Sequence, residues 1–248
     1  MKLYKTKKNC GKLLLGILAF CTGMILLTGC GSSSEQKQNK NEETAEENKE
    51  EDKVQIGLTV DSFVIERWIR DRDVFVATAR ELGAEVNVQD AGADVKEQIS
   101  QIEYFINKQV DVIVVIARDC GALSDAIQKT QSAGIPVISY DRMVNNANTD
   151  LYISFDNRKV GEIMAQALVN ALPQGGDVFM IQGSSSDNNV QMVKRGFDDM
   201  LADTDLHVVY EANCDGWTAE LAAGYVEEAL EKYPHVKGIM CGNDDIAS

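Results

Sequence analysis

Val54-Gln-Ile-Gly-Leu-Thr-Val60 runs through Asp61-Ser-Phe-Val-Ile65 into Glu66-Arg-Trp-Ile-Arg-Asp-Arg-Asp73, so a β-branched apolar run passes directly into a charged segment of helical spacing. The first part reads as a strand and the second as the opening turns of a helix from about Ile65 to Leu82. In an open α/β sheet the first turns of such helices face the crevice outside the carboxyl ends of the strands. On that lip Arg67 offers a planar fork of donors and Trp68 a flat apolar face, a pair suited to a polyhydroxylated ring. The other reading places Trp68 in an apolar stripe with Ile65, Ile69, Phe75 and Val76, and the charges on a solvated face. The first reading divides the helix: Arg67 and Trp68 toward the crevice, Ile69, Val76 and Ala79 toward the sheet. Asp71, Arg72 and Asp73 then belong mainly to the surface or to inter-helix contacts, and Trp68 matters little for folding.

Downstream the same unit recurs. Strand-like Glu85–Gln89, Val112–Ile116 and Val137–Ser139 alternate with helical Asp94–Lys108 and Leu123–Ala133, and Gly83, Gly134 and Pro136 mark helix stops. Strands alternating with helices imply βαβ units and a parallel sheet covered on both faces. Tyr152–Phe155 reads as a short strand before a helix over Asn157–Leu172. The pattern then restarts with strands at Val178–Ile181, Val208–Tyr210 and Val236–Met240, separated by helices over Val190–Leu201 and Ala219–Tyr233. The fold class is α/β, with two doubly wound parallel-sheet lobes joined by a hinge near Phe155. The lobes span 54–154 and 155–248. Three strands make a small second sheet, which the reading takes as incomplete through C-terminal truncation.

Upstream, Lys2, Lys5, Lys7, Lys8 and Lys12 precede an apolar run from Leu13 to Leu27, the layout of an export signal over residues 1–29. Leu27-Thr28-Gly29-Cys30 resembles the lipobox of bacterial lipoproteins, which implies a lipid on Cys30 and anchoring at the extracytoplasmic face of the membrane. Residues 30–53 are mostly Ser, Asn, Gln, Glu and Lys without apolar periodicity, and read as a disordered tether. The chain holds 24 Lys and Arg against 39 Asp and Glu, so without the five leader lysines the balance is 19 against 39, a net charge of about −20. Such a chain repels nucleic acid and anionic lipid. Cys120, Cys214 and Cys241 remain once Cys10, Cys21 and Cys30 are set aside; their spacing suits no metal, and they read as buried free thiols.

Several motifs in the folded part resemble the sugar-binding proteins of ABC importers with the type I periplasmic binding fold, and most closely the bacterial D-xylose-binding group. They are Glu66-Arg67-Trp68 with Asp71-Arg72-Asp73, Gln98-Ile-Ser-Gln101-Ile-Glu103, Tyr140-Asp141-Arg142 and Tyr152-Ile-Ser-Phe-Asp-Asn157. Asp187-Asn188-Asn189, Asp215-Gly216-Trp217 and Asn243-Asp244 continue the series. The resemblance covers the chain from Val54 onward. Ser62–Ile65 and Thr218–Leu221 depart from the family's usual pattern.

The resemblance implies that Arg67, Trp68, Asp141 and Arg142 contact a monosaccharide, D-xylose foremost, from the first lobe. Asp187, Asn189, Trp217 and Asn243 would contact it from the second. Carboxylates accept from hydroxyls while Arg and Asn donate. Each position also has a local reading: Asp141-Arg142 as a turn ion pair, and Asp187-Asn188-Asn189 and Asn243-Asp244 as helix caps. The resemblance further implies a monomer, no cofactor or metal, and a membrane permease as partner. A receptor feeding a sensor kinase, or a fragment without function, fits the same residues. An enzyme fits poorly, because no Gly-x-Ser-x-Gly elbow, His-Glu-x-x-His pair or phosphate loop is present.

Overall fold

The computed structural model describes residues 53–248. The expected export signal, Cys30 and the tether up to residue 52 lie outside the described residues. Strand β1 (Gln55–Val60) leads to helix α1 (Glu66–Glu81), then β2 (Glu85–Asp90), α2 (Val95–Lys108), β3 (Val112–Ile116), α3 (Ser124–Ser132), β4 (Val137–Tyr140) and β5 (Leu151–Ile153). Helix α4 (Asn157–Ala171) opens the second lobe. It is followed by β6 (Gly176–Gln182), α5 (Asn188–Leu201), β7 (Leu206–Asn213), a 3₁₀ turn at Asp215–Trp217, α6 (Ala219–Lys232), β8 (Gly238–Cys241) and α7 (Asp244–Ala247). All strand pairs are parallel, in the orders β2-β1-β3-β4-β5 and β7-β6-β8.

In both lobes the first strand lies between the second and the third, so the chain reverses its direction of travel across the sheet there. That is the topological switch point, where a crevice opens beyond the strand ends. The alternation along β3 shows how each sheet is sandwiched: Ile113 and Val115 pack against α2 and α3, whereas Val114 and Ile116 join Leu58, Val60 and Trp68 under α1. Strand β6 repeats the device. Val178 and Met180 pack with Ala165 and Phe197 of α4 and α5, and Phe179 and Ile181 with Ala222 and Ala229 of α6.

Elements differ from their expected bounds where tertiary pairing overrides local pattern. β7 extends to Leu206–Asn213 because its polar residues still pair with β6, around a register shift at Val178/Phe179. β5 is shorter than expected because Ser154, Phe155 and Asp156 leave the sheet to cross to the second lobe. The thiols also differ from expectation. Cys214 is buried, but Cys120 and Cys241 are only partly so, and burial raises all three above the ordinary thiol range.

Two polar side chains buried in the first lobe tie the strand ends together. Gln98 donates to the Ile116 carbonyl at 2.9 Å and accepts from the Arg118 amide at 2.8 Å. Gln101 accepts from the Thr59 hydroxyl at 2.7 Å and donates to the Asp90 carbonyl at 2.8 Å. The ends of β1, β2 and β3 are thereby fixed from α2, and the crevice edge with them.

In the second lobe α4 and α5 touch backbone to backbone. A Cβ on Gly161 would collide with the Val193 carbonyl, and one on Gly196 with the Arg158 carbonyl. Overpacking a core costs about 1–3 kcal/mol where side chains can yield, and backbone yields less. Gly161→Ala and Gly196→Ala are each expected to lose about 3 kcal/mol or more of stability, measured by urea unfolding; unchanged midpoints would show that the helices separate freely.

Candidate functional site

A cleft of about 410 Å³ lies between the lobes at the carboxyl ends of both sheets. Its size falls in the range of small-molecule sites. Arg67, Trp68, Asp141 and Arg142 line it from the first lobe, and Asp187, Asn189, Trp217 and Asn243 from the second. The structure therefore brings all eight residues singled out in the sequence around one space.

The centre of the first-lobe wall is Arg142. Its side chain is 3 % exposed and lies between two equally buried carboxylates: Nη1 donates to Asp61 Oδ2 at 2.6 Å, and Nε is 2.7 Å from Asp187 Oδ2. The second contact is an ion pair by distance, but Nε makes no geometrically sound hydrogen bond. Nη1 also donates to the Ala117 carbonyl at 3.1 Å. Asp187 acts twice, since its Oδ1 caps α5 by accepting from the Asn189 amide at 2.9 Å. The local and the site readings of Asp187 are thus carried by different oxygens. Burial raises its carboxyl above the ordinary aspartate range, against the pull of Arg142.

Asp141 stands beside this group with φ at 62°, a left-handed conformation uncommon outside glycine. It accepts from Arg67 Nη2 at 2.5 Å and from Asn189 Nδ2 at 2.8 Å, the latter across the lobes. Arg67 also pairs with Asp71 at 3.5 Å. Burial works against the Arg67 charge, but Asp141 and Asp71 outweigh it and hold the guanidinium above its ordinary value. Asp71 accepts from the hydroxyl of Tyr140 in β4 at 3.0 Å and lines the cleft, in place of the expected surface or inter-helix contact. Burial, with the bond to Asp71, raises the Tyr140 phenol.

Trp68 needs a larger correction. It is 2 % exposed and packs with Leu58, Val60, Val114 and Ile116, so it is a core residue of the first lobe as well as part of the cleft wall. Arg67 lies over its ring at 4.5 Å and Arg142 at 5.5 Å, both within cation–π range. The two sequence readings of Trp68 describe two sides of one ring.

Trp217 follows β7 in the Asp215-Gly216-Trp217 turn, where Gly216 and Trp217 have φ of 63° and 61°. Its indole rests on backbone: a Cβ on Gly183 would overlap the ring, and one on Gly242 would come within 3.1 Å of it. Asn243 caps α7, accepting from the Ile246 amide at 2.9 Å, while lining the cleft. Sparsely populated backbone at Asp141 and Trp217, one in each lobe, is the kind of strain that clusters at ligand sites.

Three residues with parts in this arrangement were missed from sequence. Asp61 ends the β1 run and anchors Arg142. Arg118 follows β3 and reaches Asp215 of the second lobe at 3.2 Å, where the Ser184 hydroxyl and Arg118 lower the Asp215 carboxyl. Gln182 ends β6 and lines the cleft. Their signal was position: each is the first polar residue or nearly so beyond an apolar strand.

A family model described as the periplasmic binding protein domain matches residues 56–248. The chain belongs to this family. Among its relatives, the D-xylose-binding periplasmic proteins of Haemophilus influenzae and of Escherichia coli strain K12 are each 41 % identical over 199 residues, 78 % of this chain and 60 % of theirs. The chain thus spans about three fifths of the length of those periplasmic binding proteins. A solute-binding protein from Clostridium phytofermentans, solved with β-D-glucose, superposes with a TM-score of 0.74 at 25 % identity, covering 78 % of this chain and 66 % of that one. One from Actinobacillus succinogenes 130z, solved with D-allose, gives 0.72 at 28 %, covering 79 % and 71 %. These relatives are binding proteins, in agreement with the sequence reading that the chain is not an enzyme.

Trp68→Ala should therefore cost about 3–5 kcal/mol of stability, read from chemical unfolding; a loss below ~1 kcal/mol would return the ring to a lip position. Arg142→Ala leaves Asp61 and Asp187 buried without their cation and should cost about 3–5 kcal/mol. Arg70→Ala, at an exposed pair with Glu66, is the control and should lie within about 0.5 kcal/mol of the parent.

Proposed function

We propose that this protein is an extracytoplasmic receptor that binds a monosaccharide, D-xylose foremost, between its lobes and delivers it to an ABC importer. The observation that carries the reading is the convergence of eight sequence-marked residues, four from each lobe, on one cleft of small-molecule size. The likeness to D-xylose-binding proteins at 41 % identity supports xylose over other sugars.

The wall has what a sugar needs. Carboxylates at Asp141 and Asp187 accept from hydroxyls, guanidinium groups at Arg67 and Arg142 and amides at Asn189 and Asn243 donate, and Trp217 offers an apolar plane to C–H bonds. Charge-assisted bonds are the stronger kind. Capture proceeds by hinge closure about Ser154–Asp156, because only the closed state lets both lobes touch one ligand, so ligand shifts the population toward it. The closed monomer then presents a surface made from both lobes to the permease. Upstream of the described residues, lipid on Cys30 anchors the receptor, and the polar segment to residue 53 spaces the lobes from the membrane.

Calorimetry of the purified protein should show one-to-one heat with D-xylose. Heat with D-ribose or D-galactose but none with D-xylose sinks the sugar assignment, and no heat with any monosaccharide sinks the binding reading. In cells, Cys30→Ala should move the protein from the membrane to the soluble fraction; unchanged partition would dismiss the lipid anchor.

A further inference from the structure

Most polar groups around the cleft are already engaged with one another. Asp141 accepts from Arg67 and Asn189, Arg142 sits between Asp61 and Asp187, and Asn243 is occupied as a cap. Trp68 Nε1, Trp217 Nε1 and Arg142 Nε also lack a hydrogen-bond partner there, but they are donors; among the acceptors lining the cleft Gln182 is different. It is 4 % exposed, it lines the cleft, and its Oε1 is buried with no hydrogen-bond partner among the described residues.

The fold gives no structural reason for that amide. Gln182 ends β6, the central strand of its sheet, and its backbone carbonyl accepts from the Cys214 amide at 2.8 Å. By the two-residue alternation of a strand its side chain shares a face with Val178 and Met180, which pack into the α4–α5 core. A third apolar residue would continue that face without loss, whereas an unpaired buried acceptor costs free energy. The next residue, Gly183, carries Trp217 on its backbone, so Gln182 is held at the foot of the aromatic wall.

We propose that Gln182 is a further ligand-contacting residue, whose Oε1 accepts a hydrogen bond from one hydroxyl of the bound sugar. It thereby sets specificity, because a site built to bond a hydroxyl rejects the analogue that lacks it. This inference rests on the sugar-binding reading above. Gln182 does not act through its neighbours; it supplies a free acceptor beside carboxylates that already hold partners.

The test compares the parent protein with Gln182→Leu, using D-xylose and its mono-deoxy analogues in calorimetry and thermal melts without sugar. In the variant, affinity for D-xylose should fall about ten-fold, while the ligand-free melting temperature stays level or rises. One deoxy analogue should bind the parent about ten-fold more weakly than D-xylose, yet bind the variant as well as D-xylose does. If the parent prefers another monosaccharide, that sugar and its deoxy analogues take the same places. Unchanged affinity in Gln182→Leu overturns the assignment while leaving the sugar reading intact. A weaker affinity accompanied by a lower melting temperature marks a structural role and also overturns it. A parent that binds no sugar overturns both readings.

Discussion

One guanidinium, Arg142, is buried between a carboxylate of its own lobe and a carboxylate of the other. Removing ions from water is expensive, and an ion pair recovers that cost only when geometry and further hydrogen bonds are good. Here Asp61 comes from the end of β1, Arg142 from the end of β4 and Asp187 from the start of α5. The three meet only if both sheets are complete to their last residues and the lobes lie edge to edge. Replaced by apolar side chains, such a group would hold the lobes at least as firmly. Its ionic form leaves charged acceptors and donors at the place where both lobes line one cleft.

Much of the fold was legible because its signal is periodic. The apolar runs at Val112–Ile116 and Val178–Ile181 marked β3 and β6, and Asp94, Asp156 and Asp187 cap helices as short polar residues before amphipathic runs do. The extent of β7 was not legible, since His207, Glu211 and Asn213 look like loop residues until β6 is beside them. The reach of β5 was misjudged for the opposite reason. Ser154 and Phe155 look strand-like, but connectivity requires the chain to leave the sheet there.

The site divided in the same way. Residues that stand out by type, such as Arg67, Asp141 and Trp217, are singled out by sequence, and the structure gathers them around one cleft. Asp61, Arg118 and Gln182 were passed over because a single acid, base or amide after a strand carries no type signal. Only the strand order shows that those ends share a switch point. Trp68 exposed the limit of reading a side chain as either core or cleft. A ring of that size spans the distance between them, and helix spacing cannot say which side faces the cleft.

The glycine shelf under Trp217 has a consequence for how the cleft adapts. An indole lying directly on the backbone at Gly183 and Gly242 has nowhere to retreat, so the aromatic wall of the second lobe sits at a fixed height. The opposite wall carries Arg67, a side chain nearly half exposed and held by side chains alone, Asp141, Asp71 and the Trp68 ring. One wall is set by backbone and the other by side-chain contacts, so the width of the cleft can change from one side only. The floor beneath the tryptophan is the datum from which that width is set.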